Sequence, residues 1–87
     1  MQITVEISFY PLKEDFGSPI LDFIAEIKSK GHLVVKTNSL STQITGDYDV
    51  VMGHLKDALK KSFDQGFKAT AVMKIFNEGL ELAWLPL

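Results

Sequence analysis

The feature that most constrains this chain is a change of hydrophobic period, from two residues to about 3.6 and back, made twice. From Ile3 to Tyr10, apolar Ile3, Val5, Ile7 and Phe9 alternate with Thr4, Glu6, Ser8 and Tyr10. That alternation predicts a strand with one buried face. Pro11 has no amide to give a ladder and marks the strand's end. Gly17-Ser18-Pro19 then opens a helix, with Ser18 as N-cap and Pro19 at the first helical position, where a missing N–H costs nothing. Ile20, Phe23, Ile24 and Ile27 recur on one helical face. Lys28 and Lys30 suit the C-terminal end of the helix dipole, and Gly31 suits a left-handed stop.

The second half repeats the switch. His32–Asn38 and Leu40–Thr45 read as two strands joined by a turn at Asn38-Ser39, a hairpin. Gly46-Asp47 opens a second helix, with Asp47 as cap and Val51, Leu55, Ala58 and Leu59 on its apolar face; Gly66 closes it. Phe67–Phe76 reads as a fourth strand, and Asn77-Glu78-Gly79 as a turn. The order β-α-β-β-α-β, with right-handed crossovers, predicts an α+β ferredoxin-like fold. Its four-stranded antiparallel sheet would carry both helices on one face. The alternation of Leu80, Leu82 and Trp84 in the apolar tail Leu80–Leu87 predicts an extra strand that pairs at an edge or reaches a neighbour, with Pro86 ending it; the rival course is a return over its own sheet.

Composition narrows the function. At 87 residues the chain is expected to be a single domain, residues 1–87. All nine basic residues are lysine, none is arginine, and the net charge is −2. Arginine is the bidentate reader of phosphate and guanine, so the footprint of a nucleic-acid binder is missing. The same absence argues against acylphosphatase chemistry, which holds its phosphate with an arginine. There is no cysteine, hence no disulfide, thiol nucleophile or cysteine–zinc site. The N-terminus lacks the basic and apolar regions of a signal peptide, and no apolar run is long enough to span a bilayer. A cytoplasmic protein with no membrane partner is expected.

No sequence motif for catalysis stands out. His32 and His54 have no second ligand at metal-binding spacing, so no metal site is expected. There is no nucleophile elbow, dinucleotide fingerprint or P-loop. Asp47 and Asp49 suit a helix start, and Asp57, Lys60, Lys61 and Asp64 a solvated helix face. In the predicted topology the first strand lies between the third and fourth. Glu6, Ser8 and Tyr10 then project from the sheet's open face, near Gln43 and Thr45 and near either Lys74 or Met73, since both phases of the fourth strand carry apolar residues. Such a face is either a solvated sheet surface or a polar floor beneath a partner subunit.

Three segments resemble one family. Ile7-Ser8-Phe9-Tyr10-Pro11-Leu12 is similar to the first-strand motif of the YkoF-like thiamine-binding family. Leu40 to Val51, running Ser41-Thr42-Gln43-Ile44-Thr45-Gly46-Asp47, is similar to its hairpin-to-helix segment. Val72-Met73-Lys74-Ile75 is similar to its last strand. Thr45 stands where many relatives carry an acid, and Asn77-Glu78-Gly79 replaces a charged segment. The resemblance implies a non-catalytic homo-oligomer, dimer or tetramer, that binds thiamine or its hydroxymethylpyrimidine moiety as ligand and uses no other cofactor. That ligand needs an aromatic wall, hydroxyl or amide partners and a carboxylate. The expected ligand-binding residues are Glu6, Ser8, Tyr10, Asn38, Ser41, Thr42, Gln43 and Thr45, at an oligomer-associated site on the sheet. Glu6 is assigned the thiazolium charge or the pyrimidine amine. The alternative is an assembly or regulatory module without a vitamin ligand.

Overall fold

Alternation along the first strand decides which way the molecule is layered. The computed structural model describes residues 1–83. Its elements are β1 (Gln2–Pro11), α1 (Gly17–Ser29), β2 (Val34–Thr37), β3 (Thr42–Asp47), α2 (Tyr48–Phe63) and β4 (Ala69–Phe76). The strands form one antiparallel sheet in the order β2-β3-β1-β4. This is the ferredoxin-like α+β arrangement, with β1 central as the sequence predicts. Ile3, Val5, Ile7 and Phe9 are all buried, in one cluster with Phe23 and Ile27 of α1, Ile44 of β3, and Val51, Leu55 and Ala58 of α2. Phe9 stacks on Phe23 with ring centroids 4.8 Å apart. Both helices thus cover one face. Burying each such side chain contributes up to about 1.5–3 kcal/mol, an upper figure because the unfolded chain is itself partly compact.

Element boundaries differ from the sequence reading for local reasons. α1 starts at Gly17 behind Phe16, whose side chain makes no capping bond, so Ser18 is not the cap and Pro19 occupies the third helical position. Pro19 is tolerated there because the first four helical amides have no intrahelical acceptor. β2 begins only at Val34, since Gly31 and His32 both take positive φ (68° and 65°). β3 begins at Thr42 rather than Leu40, because residues 38–41 are consumed by the turn. Asp47 caps α2 as expected, its side chain accepting from the amides of Asp49 and Val50 at 3.1 and 3.3 Å.

The fourth strand's phase is resolved by its ladder. Thr4, Glu6, Ser8 and Tyr10 stand opposite Phe76, Lys74, Val72 and Thr70. Directly opposed residues share a face, so Lys74 lies on the open face and Met73 on the helix face. β4 is an edge strand, and Val72, Met73, Ile75 and Phe76 are all exposed.

The expected extra strand does not form over residues 80–83; as far as it is described, the tail takes the rival course and returns over the open face, because Thr4 holds it there. The Thr4 hydroxyl donates to the carbonyl of Glu78 and accepts from the amide of Leu80, both at 2.8 Å. Gly79 lies close enough that a Cβ there would sit 3.2 Å from Gln2 Cβ and 3.5 Å from Thr45 Oγ1. Glu81, Leu82 and Ala83 then face Lys36 and Gln43 across a groove. Trp84 to Leu87 lie outside the described residues.

Candidate functional site

A mismatch of strand lengths opens the cleft. β1 has 10 residues and β3 has 6. Their ladder runs from Gln2–Asp47 to Ile7–Thr42, whereas β1 pairs with β4 as far as Pro11–Ala69. Among the described residues, the β3-facing edge of Ser8–Pro11 is therefore left without a strand partner. Asn38 ties the hairpin tip into a compact turn: its side-chain oxygen accepts from the amides of Leu40 (2.9 Å) and Ser41 (3.1 Å), and its own amide donates to the Ser41 carbonyl at 3.1 Å. Asparagine is suited to such a turn because its short side chain can replace a backbone acceptor.

Between that tip and the free end of β1 lies a cleft of about 440 Å³. Pockets for small organic ligands run from roughly 300 to 1,000 Å³. Phe9 and Phe23 contribute from the core, Ile20 and Ile24 from α1, Leu12 and Phe16 from the loop that enters the helix, and residues 37–42 from the hairpin. Among the described residues, none that lines the cleft is ionisable except the Tyr10 phenol. The cleft can stack a flat ring and offer it hydroxyl, amide and carbonyl partners, and its described lining carries no fixed charge.

Five of the eight sequence-predicted residues line this cleft: Ser8, Tyr10, Asn38, Ser41 and Thr42. Ser8 donates to the Leu40 carbonyl at 3.3 Å across its mouth. Thr42 reaches the cleft from the helix side of the sheet; it is 4% exposed and shares a hydrogen bond with Thr37 at 3.0 Å. Glu6, Gln43 and Thr45 do not line it. Glu6 and Gln43 stand opposite each other on the open face. Thr45 lies beside Gly79, near the other end of β1, and donates to the Ile3 carbonyl at 3.1 Å. Thr45 is opposite Thr4, about 13 Å along β1 from Ser8 at the usual strand rise.

Glu6 has protein partners on both carboxylate oxygens. Lys74 Nζ is 2.8 Å from Oε1, and the Ser41 hydroxyl donates to Oε2 at 2.8 Å; the Gln43 amide donates in turn to Ser41 Oγ at 2.7 Å. The Lys74 ammonium first, and then the Ser41 hydroxyl, hold the Glu6 carboxyl below the usual glutamate range. Both partners favour the charged form.

The sequence reading missed the apolar half of the site. Leu12 and Phe16 are exposed apolar residues in an otherwise polar connection, Leu12-Lys13-Glu14-Asp15-Phe16. Two unburied hydrophobes flanking an acidic loop are the signal that could have found it. Among the described residues no three His, Cys, Asp or Glu side chains converge as metal ligands, and no helix is long and apolar enough to cross a membrane.

Comparison with known proteins adds three likenesses of fold. A protein from Thermotoga maritima, provisionally named for thiamine biosynthesis or salvage, superposes with a TM-score of 0.81 at 21% identity, over 94% of this chain and 91% of that one. A protein from Streptococcus pneumoniae superposes with a TM-score of 0.79 at 24% identity, over 95% and 92%. A domain of unknown function, DUF77, from Bacillus cereus does so with 0.76 at 22% identity, over 94% and 84%. None of the curated proteins matches. A model of the YkoF-related family matches residues 2–75, which contain β1, the hairpin, both helices and nearly all of β4, and the chain therefore belongs to the YkoF-related family.

Proposed function

We propose that this chain is a non-catalytic small-molecule-binding protein whose cleft takes the hydroxymethylpyrimidine moiety of thiamine, free or as part of the vitamin. The observation that carries the reading is the coincidence of the cleft with Ser8, Tyr10, Asn38, Ser41 and Thr42. Family membership and the thiamine-related name of the Thermotoga relative support the same ligand class. The cleft's chemistry favours one half of thiamine over the other. A neutral aminopyrimidine is flat and carries donors and acceptors, which suits aromatic walls with hydroxyl and amide edges. The cationic thiazolium finds no carboxylate among the described lining residues, and Glu6 is already matched to Lys74 and Ser41. The thiazolium would lie toward the mouth. Calorimetry with hydroxymethylpyrimidine, thiamine and thiamine phosphate tests this. Binding of the first two is expected; no heat from any of them at millimolar concentration would overturn the reading in favour of an assembly module with no vitamin ligand.

The protein is also proposed to act as a homo-oligomer. The support is the edge strand β4, which exposes Val72 and Phe76 on one face and Met73 and Ile75 on the other. Edge strands of stable monomers are normally guarded by charge, proline or a bulge. Here the single lysine, Lys74, is matched by Glu6. Sedimentation at tens of micromolar is expected to give at least a dimer, and a monomer would contradict the proposal.

A further inference from the structure

We infer that Glu6 is a positioning residue, which sets one wall of the cleft by holding the hairpin tip through Ser41. The inference rests on reading the cleft as the ligand site. The β1–β3 ladder ends at Ile7–Thr42, so the four residues before Thr42 have no strand partner on β1. Packing does not hold them either, since Leu40 at the tip is 85% exposed. Asn38 closes the turn on itself, which fixes its shape but not its place. Side-chain bonds tie the tip to β1: the weak 3.3 Å contact from Ser8 to the Leu40 carbonyl, and the 2.8 Å bond from Ser41 to the Glu6 carboxylate.

A hydrogen bond to an ionised carboxylate is the stronger kind. The other oxygen of Glu6 is taken by Lys74 of β4. The carboxylate therefore forms a brace from β4, across β1, to the hairpin. It does so from the open face, while the wall it holds bounds the cleft. Two features of the sequence, a glutamate on the polar phase of β1 and a serine after the hairpin turn, acquire one purpose that neither has alone. Glu6 touches no ligand in this account; it acts by fixing where Ser41 and Asn38 stand.

Backbone relaxation by NMR on the full chain tests this without any ligand. In the wild type, residues 38–41 should show order parameters near the rigid value of about 0.85. In Glu6→Ala and in Ser41→Ala they should fall toward the flexible range below about 0.6, while Val5 and Ile44 stay unchanged. The double variant should be no looser than Ser41→Ala, because that change already removes the Glu6–Ser41 bond, together with the bond from Gln43 to Ser41. Glu6→Gln, which keeps an acceptor for Ser41, should restore much of the order. An unchanged hairpin in both alanine variants, or an equal loosening of the whole sheet, would overturn the brace. A second arm titrates the same proteins with hydroxymethylpyrimidine. If the wild type binds, Glu6→Ala should weaken binding by roughly ten-fold, the size expected for losing one charge-assisted bond, and Glu6→Gln by less. If the wild type does not bind, the reading of the cleft fails while the order parameters still decide the brace.

Discussion

The two ends of β1 carry the same alternation and meet opposite fates. At the end of Thr4 and Val5, β1 is flanked by β3 and β4, and the returning tail lies above it. At the end of Ser8 to Pro11, β4 continues but β3 has already turned away, and the missing strand is replaced by a cleft. The core residues differ little in kind: Ile3 and Val5 at one end, Ile7 and Phe9 at the other, all buried. The difference lies in the partners. The cleft is made by ending one strand early, which leaves part of a packed layer uncovered and keeps its rim polar through Ser8, Asn38 and Ser41.

The sharpest way to break the comparison is to remove one isoleucine from the closed end of β1 and one from the α1 wall of the cleft. Ile3→Ala, at a site 1% exposed, should cost about 2–5 kcal/mol in denaturant unfolding. Ile24→Ala, on the cleft wall and only partly buried, should cost about 1 kcal/mol. Equal losses would mean that the two ends are packed alike. Next in size is the tail's seat. Thr4→Val keeps the shape but removes both bonds to residues 78 and 80, which should lower stability by about 1–2 kcal/mol. The cost should disappear in a chain cut after Asn77, as measured by a double-mutant cycle.

Phe16→Ala should separate binding from stability. Its ring is exposed and lines the cleft, so unfolding should shift by less than about 0.5 kcal/mol, while hydroxymethylpyrimidine affinity drops by roughly ten-fold, about 1.4 kcal/mol. An unchanged affinity would remove the aromatic wall from the account. The smallest effect is electrostatic. The folded-state pKa of Glu6 is depressed, first by Lys74 and then by Ser41. Its contribution to stability is therefore present above the unfolded glutamate value and lost as pH falls through the lower folded value. Because the side chain is 39% exposed, solvent screening keeps that contribution below about 1 kcal/mol. The acid limb of stability against pH should be slightly flatter in Glu6→Gln than in the wild type; identical limbs would remove Glu6 from the pH dependence.

The fold was legible because the period changes, the Asp47 cap and the left-handed Gly31 and Gly66 are local signals, and tertiary packing agrees with them. The central place of β1 followed from topology. The cleft was half legible. Its polar rim showed in a family motif, but its apolar walls come from Leu12, Phe16 and Ile24, which meet only after α1 has packed on the sheet. Glu6 illustrates the limit of type-matching: a carboxylate near a ligand motif reads as a ligand contact, and nothing in the spacing says that Ser41 and Lys74 will take both oxygens. Thr45 stands outside the cleft for a different reason. It shares the hairpin segment with Ser41, yet a strand carries its residues along the sheet, and four positions are enough to leave the cleft. The course of the tail depended on a side-chain clamp at Thr4, which alternation alone does not reveal.

The most direct test of the claim that the open end of β1 is the binding site is an amide chemical-shift titration of the isotope-labelled chain with hydroxymethylpyrimidine. The account predicts saturable shifts confined to Ser8–Leu12, Phe16–Ile24 and Asn38–Thr42, with Thr4, Thr45 and Gly79 unmoved. Saturable shifts centred on Thr4 and Thr45, or none at millimolar ligand, would contradict it.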